Sequence, residues 1–462
     1  SARGKAVGSS MLFYASRPHA SLLPDGIQSQ EATWDLGIRT KRSVTWKSAF
    51  TIRNTRLLEG AWQDSVRGWT LRHEAGVSNW RGVSFSGDYS RSKVRVPRQN
   101  MKHRSTDLAR VRMGFNRGLL SHQMSYRISS TGAPNRAPIF IYAGFGRGTH
   151  VWEDVDGDGL QDPEEFVQES EGDYELYYSP EIGFIPVREA ALMVRTDLVF
   201  KRVLRSSAGG WRKIASGVTA DVSFQADRRI DPDAKGVAPW DLGSFRSGKE
   251  VINGKHDLKG RLYLNRYSRS LSFRLTGLRR SRVDRTFSSQ GVEDQSEVAV
   301  MAKGFAGRRL DLEVEFTGGR RKRDGEPVYA YGVRSNRLDF RGFWRTRKGW
   351  QAGLRSEVGR DRESLRGLEA SYFAVRPEVI KALPGKGRIR TSAEWARVAS
   401  DHEVPLFLGL AGGRRVGDNI SWRTVADYRL ARYLTAMISY DGRKRPDRQV
   451  LHMGRMEMRA VF

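Results

Sequence analysis

Apolar and polar residues alternate one by one along most of this chain, and this alternation limits the folds it can adopt more than any other feature. Leu310–Phe316 alternates without interruption. Successive side chains of a β-strand point to opposite faces, so such a segment predicts a strand with one apolar and one polar face. The same pattern recurs in segments spread along the chain: Val44–Ile52, Val218–Ala226, Leu258–Leu264, Leu271–Leu278, Trp350–Val358 and Ile389–Trp395.

The number and length of these segments favour a membrane barrel. On the order of 18 such runs follow one another, each about ten residues long, which is the length that a tilted strand needs to cross a bilayer. The prediction is an all-β fold, a transmembrane antiparallel β-barrel of roughly 16–22 strands. The alternative is a soluble β-sandwich, whose strands are usually about 5–6 residues long. Alternation alone does not separate the two folds.

Other protein classes are excluded by what the chain lacks. Its longest apolar stretches, Ile139–Phe145 and Leu406–Leu410, are far shorter than the roughly 18 residues of a transmembrane helix. It has no cysteine, which rules out disulfides, thiolate zinc sites and cysteine nucleophiles. Its eight histidines form no recognised catalytic motif, so we expect no enzyme.

The net charge of +28 raises the question of a nucleic-acid partner. The basic residues are spread along the whole chain and cluster in turns, as in 320–323 and 443–445, and 52 acidic residues are interleaved with them. No nucleic-acid-binding motif accompanies them. A basic nucleic-acid-binding protein therefore remains only the second alternative, and we expect no nucleic-acid partner.

The last segment of the chain alternates up to its terminal residue. Gly454, Met456, Met458, Ala460 and Phe462 share one face. This segment resembles the C-terminal strand of outer-membrane barrels, which ends in Phe and is recognised by the barrel-assembly machinery, although Ala460 stands where Tyr is common. The resemblance implies that machinery as a partner.

An acidic loop fits the EF-hand calcium pattern at every position. Three carboxylates come at alternate positions, Gly159 permits a sharp turn, and a Glu that can bind calcium through both oxygens closes the loop. The predicted calcium ligands are Asp154, Asp156, Asp158, Leu160 through its carbonyl, Asp162 and Glu165. No helix pattern flanks the loop. We therefore predict a lone calcium loop on a β-hairpin, a structural element rather than a sensor.

A longer stretch around this loop carries a family resemblance. It contains Tyr142-Ala-Gly-Phe-Gly-Arg-Gly148, Trp152-Glu-Asp154, Gly172-Asp-Tyr174 and Gly183-Phe-Ile-Pro-Val187. This segment resembles one found in large outer-membrane proteins of the Bacteroidetes and is similar to the barrel translocon of type 9 secretion and gliding. His150 stands where that group often has Tyr. This chain is much shorter than that translocon, so the resemblance does not imply that it translocates proteins.

These observations lead to three functional hypotheses. The first is an outer-membrane barrel that acts as a channel or transport component, or as the membrane part of an export or surface-assembly complex. Its partners would be outer-membrane lipid, lipopolysaccharide and other envelope proteins. The main alternative is a secreted, calcium-stapled β-protein that binds carbohydrate or protein, and the third hypothesis is the basic nucleic-acid-binding protein described above. The predicted organisation is an N-terminal lead, plug or remnant of an upstream region over 1–40 and a barrel over 41–462, with a calcium-loop insertion at 139–187.

Overall fold

The structure is a computed structural model whose residues separate into two compact units. It describes residues 10–15, 27–39, 44–59, 61–95, 104–134, 138–179, 184–200, 216–230, 251–266, 268, 270–285, 291–307, 309–346, 348–446 and 449–460. Unit 1 comprises residues 1–135, 181–203 and 221–257, and unit 2 comprises residues 136–180, 204–220 and 258–462.

Unit 1 is built on an antiparallel ladder of consecutive strands. Its strands are β1 (Ser10–Ala15), β2 (Ile27–Arg39), β3 (Val44–Glu59), β4 (Ala61–Trp80), β5 (Val83–Arg95), β6 (Arg104–Arg117), β7 (Leu120–Pro134) and β12 (Phe184–Val199). Each strand pairs with the next, and β7 pairs with β12. Strands β13 (Val218–Ile230) and β14 (Val251–Leu264) contain residues of both units.

Unit 2 contains a second ladder and a small sheet. The ladder runs through β15 (Leu271–Asp284), β16 (Gly291–Ala306), β17 (Leu310–Asp324), β18 (Tyr331–Arg345), β19 (Trp350–Glu363), β20 (Glu369–Leu383), β21 (Gly387–Ala399), β22 (Gly417–Ala431), β23 (Leu434–Lys444) and β24 (Leu451–Ala460). The small sheet consists of β8 (Pro138–Tyr142), β9 (Gly148–Trp152), β10 (Phe166–Gly172) and β11 (Tyr174–Tyr178), in the order β10-β9-β11-β8.

The ladder of unit 2 has one end with short turns and one with long loops. The short turns are 307–309, 346–349, 384–386 and 432–433, and the long loops include 325–330, 364–368 and 400–416. Gly307 and Gly385 have φ values of 69° and 75°, a left-handed conformation that favours glycine and allows the chain to reverse within three residues. Loop 400–416 contains two short 3-10 segments, Leu406–Leu408 and Leu410–Gly413.

The two faces of this ladder have opposite character, and the apolar one is exposed. The register places Val314 opposite Phe340 and Phe316 opposite Leu338, so these side chains share a face. We call it the apolar face. Its exposed large side chains include Val298, Val300, Val314, Phe316, Leu338, Phe340, Leu354, Val358, Phe373, Trp395, Ile438, Met456 and Met458. A water-soluble sheet buries such a face, so this arrangement is the reverse of a soluble protein.

The opposite face, which we call the charged face, carries ion pairs between adjacent strands or between strands two apart. The guanidinium of Arg355 lies 2.7 Å from a carboxylate oxygen of Asp339, whose side chain is 1% exposed. Further pairs on this face are Arg274–Glu315, Arg341–Glu313, Arg345–Asp311 and Arg423–Asp441. Lipid-facing apolar and inward-facing polar residues alternate in this way in transmembrane barrels.

The predicted fold class is confirmed. The protein is all-β and antiparallel, of the transmembrane β-barrel class, with 24 strands among the described residues. Twenty strands belong to the main antiparallel ladders and four to the small sheet, in agreement with the predicted 16–22 barrel strands. No helix in the described part of the chain is long and apolar enough to cross a membrane.

Three local predictions have different outcomes. The sequence also predicts one short loop helix over 376–383, ended by Pro384; this is wrong, because β20 continues through these residues and pairs with β19 and β21. Within the predicted lead 1–40, β2 is a sheet strand whose Trp34, Leu36 and Ile38 are exposed on one face, a run too short to stand out in the sequence. Phe462 lies outside the described residues.

Candidate metal centre and the loops that hold it

The acidic loop of residues 153–165 connects β9 to β10 of the small sheet. These strands pair in antiparallel register, with Trp152 opposite Phe166. The loop therefore sits on a β-hairpin, as the sequence predicts, and not between two helices.

Backbone turns inside the loop bring its exposed Asp side chains close to one another. Asp154 accepts hydrogen bonds from the amides of Gly157 at 2.7 Å and Gly159 at 3.1 Å. Both glycines have positive φ, 79° and 74°, so a side chain at either position would strain the turn. Asp158 accepts a bond from the amide of Leu160 at 2.7 Å, which holds the predicted Leu160 carbonyl in the same turn.

Glu165 closes the loop from its far end. Its side chain is completely buried. One carboxylate oxygen accepts a 2.7 Å bond from the indole Nε1 of Trp152, and the other accepts a 2.8 Å bond from the amide of Val155. A buried carboxylate needs such partners, and these two fix Glu165 beside Asp154.

The predicted side-chain ligands come together in two overlapping groups. Carboxylate oxygens of Asp154, Asp156 and Glu165 lie within 4.8 Å of one another, and so do oxygens of Asp156, Asp158 and Asp162. Oxygens 2.3–2.6 Å from a common ion can lie this far apart across its coordination sphere, so the donor set fits calcium, which takes six to eight hard oxygens in a flexible geometry.

The acidic groups also influence each other and a neighbouring tyrosine. Partial desolvation, followed by the negative charges of Asp158 and Glu164, raises the pKa of Asp162. Burial, followed by the charge of Glu165, raises the pKa of Tyr329 to about 12. Tyr329 belongs to the β17–β18 loop and is 6% exposed. The acidic loop therefore lies near enough to this long loop of the ladder to act on it electrostatically, and it concentrates negative charge that a cation would compensate.

The residue before the first predicted ligand holds a second long loop. The Glu153 carboxylate accepts bonds from the amides of Leu406, at 2.9 and 3.1 Å, and of Phe407, at 3.3 Å. The sequence does not predict this contact, because nothing local to Glu153 indicates a partner some 250 positions away. Glu169 of β10 also pairs with Arg443, at 3.3 Å, and with Arg445.

Loop 400–416 folds onto the charged face of the ladder, and we call it the inward loop. Leu408 and Leu410 are 0% and 1% exposed. They form an apolar cluster with strand residues that include Tyr331, Val333 and Tyr372. The inward loop thus buries its own apolar residues on the side of the sheet that is otherwise charged.

Polar contacts anchor the inward loop at both of its 3-10 segments. The amide of Ala411 donates a 2.7 Å bond to the buried carboxylate of Asp361. Arg321 donates to the carbonyl of Leu408, and Arg414 lies 3.0 Å from Glu394. The inward loop is therefore bonded to strands of the ladder on one side and to the small sheet, through Glu153, on the other.

Comparisons with known proteins give structural likeness only. No protein-family model and no curated protein sequence matches the chain. Solved structures with a similar fold include the siderophore receptor PirA from Pseudomonas aeruginosa, with 9% identity over 94% of this chain and 70% of that one and a TM-score of 0.42. They also include the copper transporter OprC, with 11% identity over 94% and 70% and a TM-score of 0.40. A third is an anion-selective porin from Comamonas acidovorans, with 9% identity over 82% and 92% and a TM-score of 0.30.

At such scores these likenesses carry no argument about solute or partner. The fold class rests instead on the strands themselves, whose exposed apolar face requires lipid and whose opposite face is charged. The chain therefore has the fold class of a transmembrane β-barrel.

Proposed function

We propose that this protein is an outer-membrane channel or transport component, without enzymatic activity, whose outer end is stiffened by a structural calcium loop. The exposed apolar face of the unit 2 ladder is the observation that carries the proposal. Burying that face in lipid removes it from water, and the charged face is then left to line an aqueous path.

The lengths of the connections orient the protein. Outer-membrane barrels have short periplasmic turns and longer extracellular loops. The turns 307–309, 346–349 and 384–386 thus face the periplasm, and the inward loop and the small sheet face the cell exterior. Calcium supplied from outside the cell would reach the acidic loop directly.

The inward loop narrows the proposed aqueous path. It places Leu408 and Leu410 over the charged face near the outer end of the ladder. Residues Val398 and Gly417, on either side of this loop, are direct partners in the β21–β22 ladder. A tight turn can therefore replace the loop without moving either strand.

The charged face supports only a weak ionic preference. The arginine content of the strands on its own favours anions. However, Arg274, Arg341, Arg345 and Arg355 each have a carboxylate partner on the same face. We therefore expect a small anion preference, and most of the net charge of +28 would act outside the conduction path.

Conductance in planar bilayers tests the channel function. The purified chain should give discrete steps, and replacing 400–416 by a short Gly-Ser turn should increase their size. A matched control replaces the exposed residues 401–403 by Gly-Ser and keeps both 3-10 segments, so it should conduct like the wild type. A wild-type protein that is heat-modifiable in gels yet conducts no ions, even without the inward loop, would contradict the proposal.

The calcium site is the second part of the proposal. Asp154, Asp156, Asp158, Asp162 and Glu165 would supply carboxylates and Leu160 its carbonyl, and a bound ion would cross-link the loop and hold Glu153 in place. Trp152 donates to Glu165, so its indole lies within range to sensitise the luminescence of terbium, a calcium substitute. Terbium emission on excitation at the tryptophan band should rise on titration and fall when calcium is added.

Two neighbouring glutamates make this test specific. Glu165→Gln removes a charge from the closing ligand and should weaken terbium binding at least about tenfold. Glu164→Gln removes the same charge one position away and should leave the affinity within about twofold. Equal effects of the two substitutions would mean that the loop attracts cations only through its overall charge.

The membrane part of an export or surface-assembly complex is a variant of the same proposal. The resemblance of the 139–187 segment to Bacteroidetes outer-membrane proteins supports it, and so does the contact of that segment with the inward loop. Further proposed partners are the barrel-assembly machinery, through β24, lipopolysaccharide and other envelope proteins. Crosslinking in intact cells followed by mass spectrometry would identify partners, and recovery of the chain alone would favour a self-contained channel.

Extraction separates these proposals from the two soluble alternatives. A membrane barrel stays in the outer-membrane fraction until detergent is added and changes its gel mobility on heating. A secreted calcium-stapled protein or a nucleic-acid binder would be recovered in the aqueous fraction, and the nucleic-acid binder would bind DNA with steep salt dependence. The exposed apolar face of unit 2 favours neither alternative.

A further inference from the structure

Four arginines form a row across β15, β17, β18 and β19. They project from the same face of the sheet as the apolar side chains, beyond the end of the apolar region. Arg320, predicted to lie in a turn, belongs to β17 and is directly opposite Arg334 of β18. Arg334 is in turn directly opposite Arg362 of β19. On the other side, Ser296 of β16 separates Arg320 from Arg279 of β15. We call Arg279, Arg320, Arg334 and Arg362 the basic row.

The basic row costs stability in the isolated protein. Like charges placed directly opposite on neighbouring strands repel each other. All four side chains are exposed. In the part of the chain that the structure describes, Arg279, Arg320 and Arg334 have no acidic partner, and Arg362 shares Glu369 with Arg360. The charged face of the same strands, in contrast, pairs its arginines with carboxylates.

The position of the basic row relative to the apolar face indicates which anion could neutralise its four positive charges. Along β17 and β18 the row lies four residues beyond Phe316 and Leu338, toward the long loops. At about 3.3 Å per residue, this is roughly 13 Å along the strand from those apolar side chains. If the apolar face meets the hydrocarbon core, the guanidinium groups reach the headgroup layer of the outer leaflet.

We propose that the basic row binds the phosphate groups of outer-leaflet lipid, the lipid A phosphates of lipopolysaccharide. The guanidinium group presents paired N–H donors that match phosphate oxygens in a bidentate geometry. The row faces outward at the edge of the apolar face, where membrane lipid is the anion at highest local concentration. This inference depends on the proposed membrane orientation.

The experiment uses the full-length chain, purified in a neutral detergent and titrated with rough-type lipopolysaccharide. The test variant carries Arg279→Gln, Arg320→Gln and Arg334→Gln, the three members without an acidic partner. The matched control carries Arg309→Gln, Lys348→Gln and Lys386→Gln, which remove the same charge from the short turns at the opposite end of the ladder. Native mass spectrometry measures the lipid bound at each concentration.

The proposal expects a loss of binding that is specific to the row. The test variant should bind lipopolysaccharide at least about tenfold more weakly, because charge-assisted hydrogen bonds are lost, and the control should bind like the wild type. Dephosphorylated lipopolysaccharide should bind equally weakly to all three proteins. In lipid-free detergent the test variant should melt at the same temperature as the wild type or higher, since the mutual repulsion is relieved.

Three results would overturn the inference: equal loss in the two variants, unchanged binding of the dephosphorylated lipid, or full competition by millimolar inorganic phosphate. The last result would assign the row to free phosphate. Failure of the membrane proposal looks different, because the wild-type protein would then be soluble without detergent and its gel mobility would not change on heating. If the wild type is heat-modifiable but the test variant binds lipopolysaccharide as tightly as the wild type, only the lipid site is overturned.

Discussion

The two ends of the unit 2 ladder are organised by different kinds of contact. At the short-turn end, neighbouring strands are joined by connections such as 307–309 and 384–386, in which glycine allows a tight reversal. At the long-loop end, Glu153 of the small sheet holds amides of Leu406 and Phe407, some 250 residues away. The difference indicates that local sequence determines the strands and their tight turns, while contacts between distant segments organise the long-loop end.

The largest effect should come from placing charge on the apolar face, which is common to both ends. Val314→Arg puts a guanidinium group in the middle of this face, and we expect it to cost about 2–4 kcal/mol of unfolding free energy in lipid vesicles. Asn336→Arg, on the same face at the outer border, should cost only about 0–1 kcal/mol, even though it lies directly opposite Arg360 and the two like charges repel. Urea unfolding in vesicles measures both. Equal costs would mean that depth in a bilayer does not matter, and the apolar face would then not face lipid.

A smaller effect is expected at a glycine on the charged face. A Cβ atom at Gly359 would overlap the ring of Tyr372, whereas a Cβ at Gly277 meets nothing within 4 Å. Gly359→Ala should therefore lower the unfolding free energy by about 1–3 kcal/mol through overpacking, and Gly277→Ala should change it by less than about 0.5 kcal/mol. The same unfolding assay compares them. A neutral Gly359→Ala would show that the ring moves freely and does not support the apolar cluster of the inward loop.

The contact between the small sheet and the inward loop should have a local effect. Glu153→Gln keeps the shape of the side chain but removes the charge that strengthens its hydrogen bonds, so we expect a loss of about 1 kcal/mol. Hydrogen exchange at the Leu406 and Phe407 amides should accelerate about fivefold, with little change at the short-turn end. Glu403→Gln, an exposed change in the same loop, serves as the control. Equal acceleration in both variants would indicate general loosening of the loop.

The smallest effect is a pH dependence confined to the small sheet. Burial lowers the pKa of His150, against a smaller opposing effect of Glu175. The folded sheet therefore favours the neutral imidazole. Below pH about 6.5, the ordinary pKa of histidine, the unfolded chain binds a proton more readily than the folded sheet, so the stability of the sheet falls as the pH drops. Amide hydrogen exchange in β9 should accelerate when the pH is lowered in that range, and His150→Tyr should abolish this acceleration. The same acceleration in the substituted protein would assign it to another group.

The ladder could be predicted from the sequence because its cause is local. The alternation in Leu310–Phe316 or Trp350–Val358 records directly which side chains share a face, and the structure confirms it. The hairpin position of the acidic loop could also be predicted, because no helix pattern flanks it. The strand at 376–383 could not be predicted, because Pro377 interrupts the alternation while the pairing of β20 with β19 and β21 outweighs that local signal.

The contacts of the candidate site could not be predicted because they join distant segments. The sequence shows the six proposed calcium ligands but not Glu153 as the residue that reaches the inward loop. It also shows many arginines but not which of them have partners. Arg355 is paired with the buried Asp339, whereas Arg334 lies opposite two other arginines. Only the register of the strands distinguishes these two environments.

The exposed apolar face also has a consequence for how this protein is made. A soluble domain hides its apolar side chains by collapsing in water, and the gain drives its folding. Here the native state displays them, so collapse in water would trap the chain in non-native, aggregation-prone forms. Productive folding therefore requires contact with lipid before such a collapse is complete.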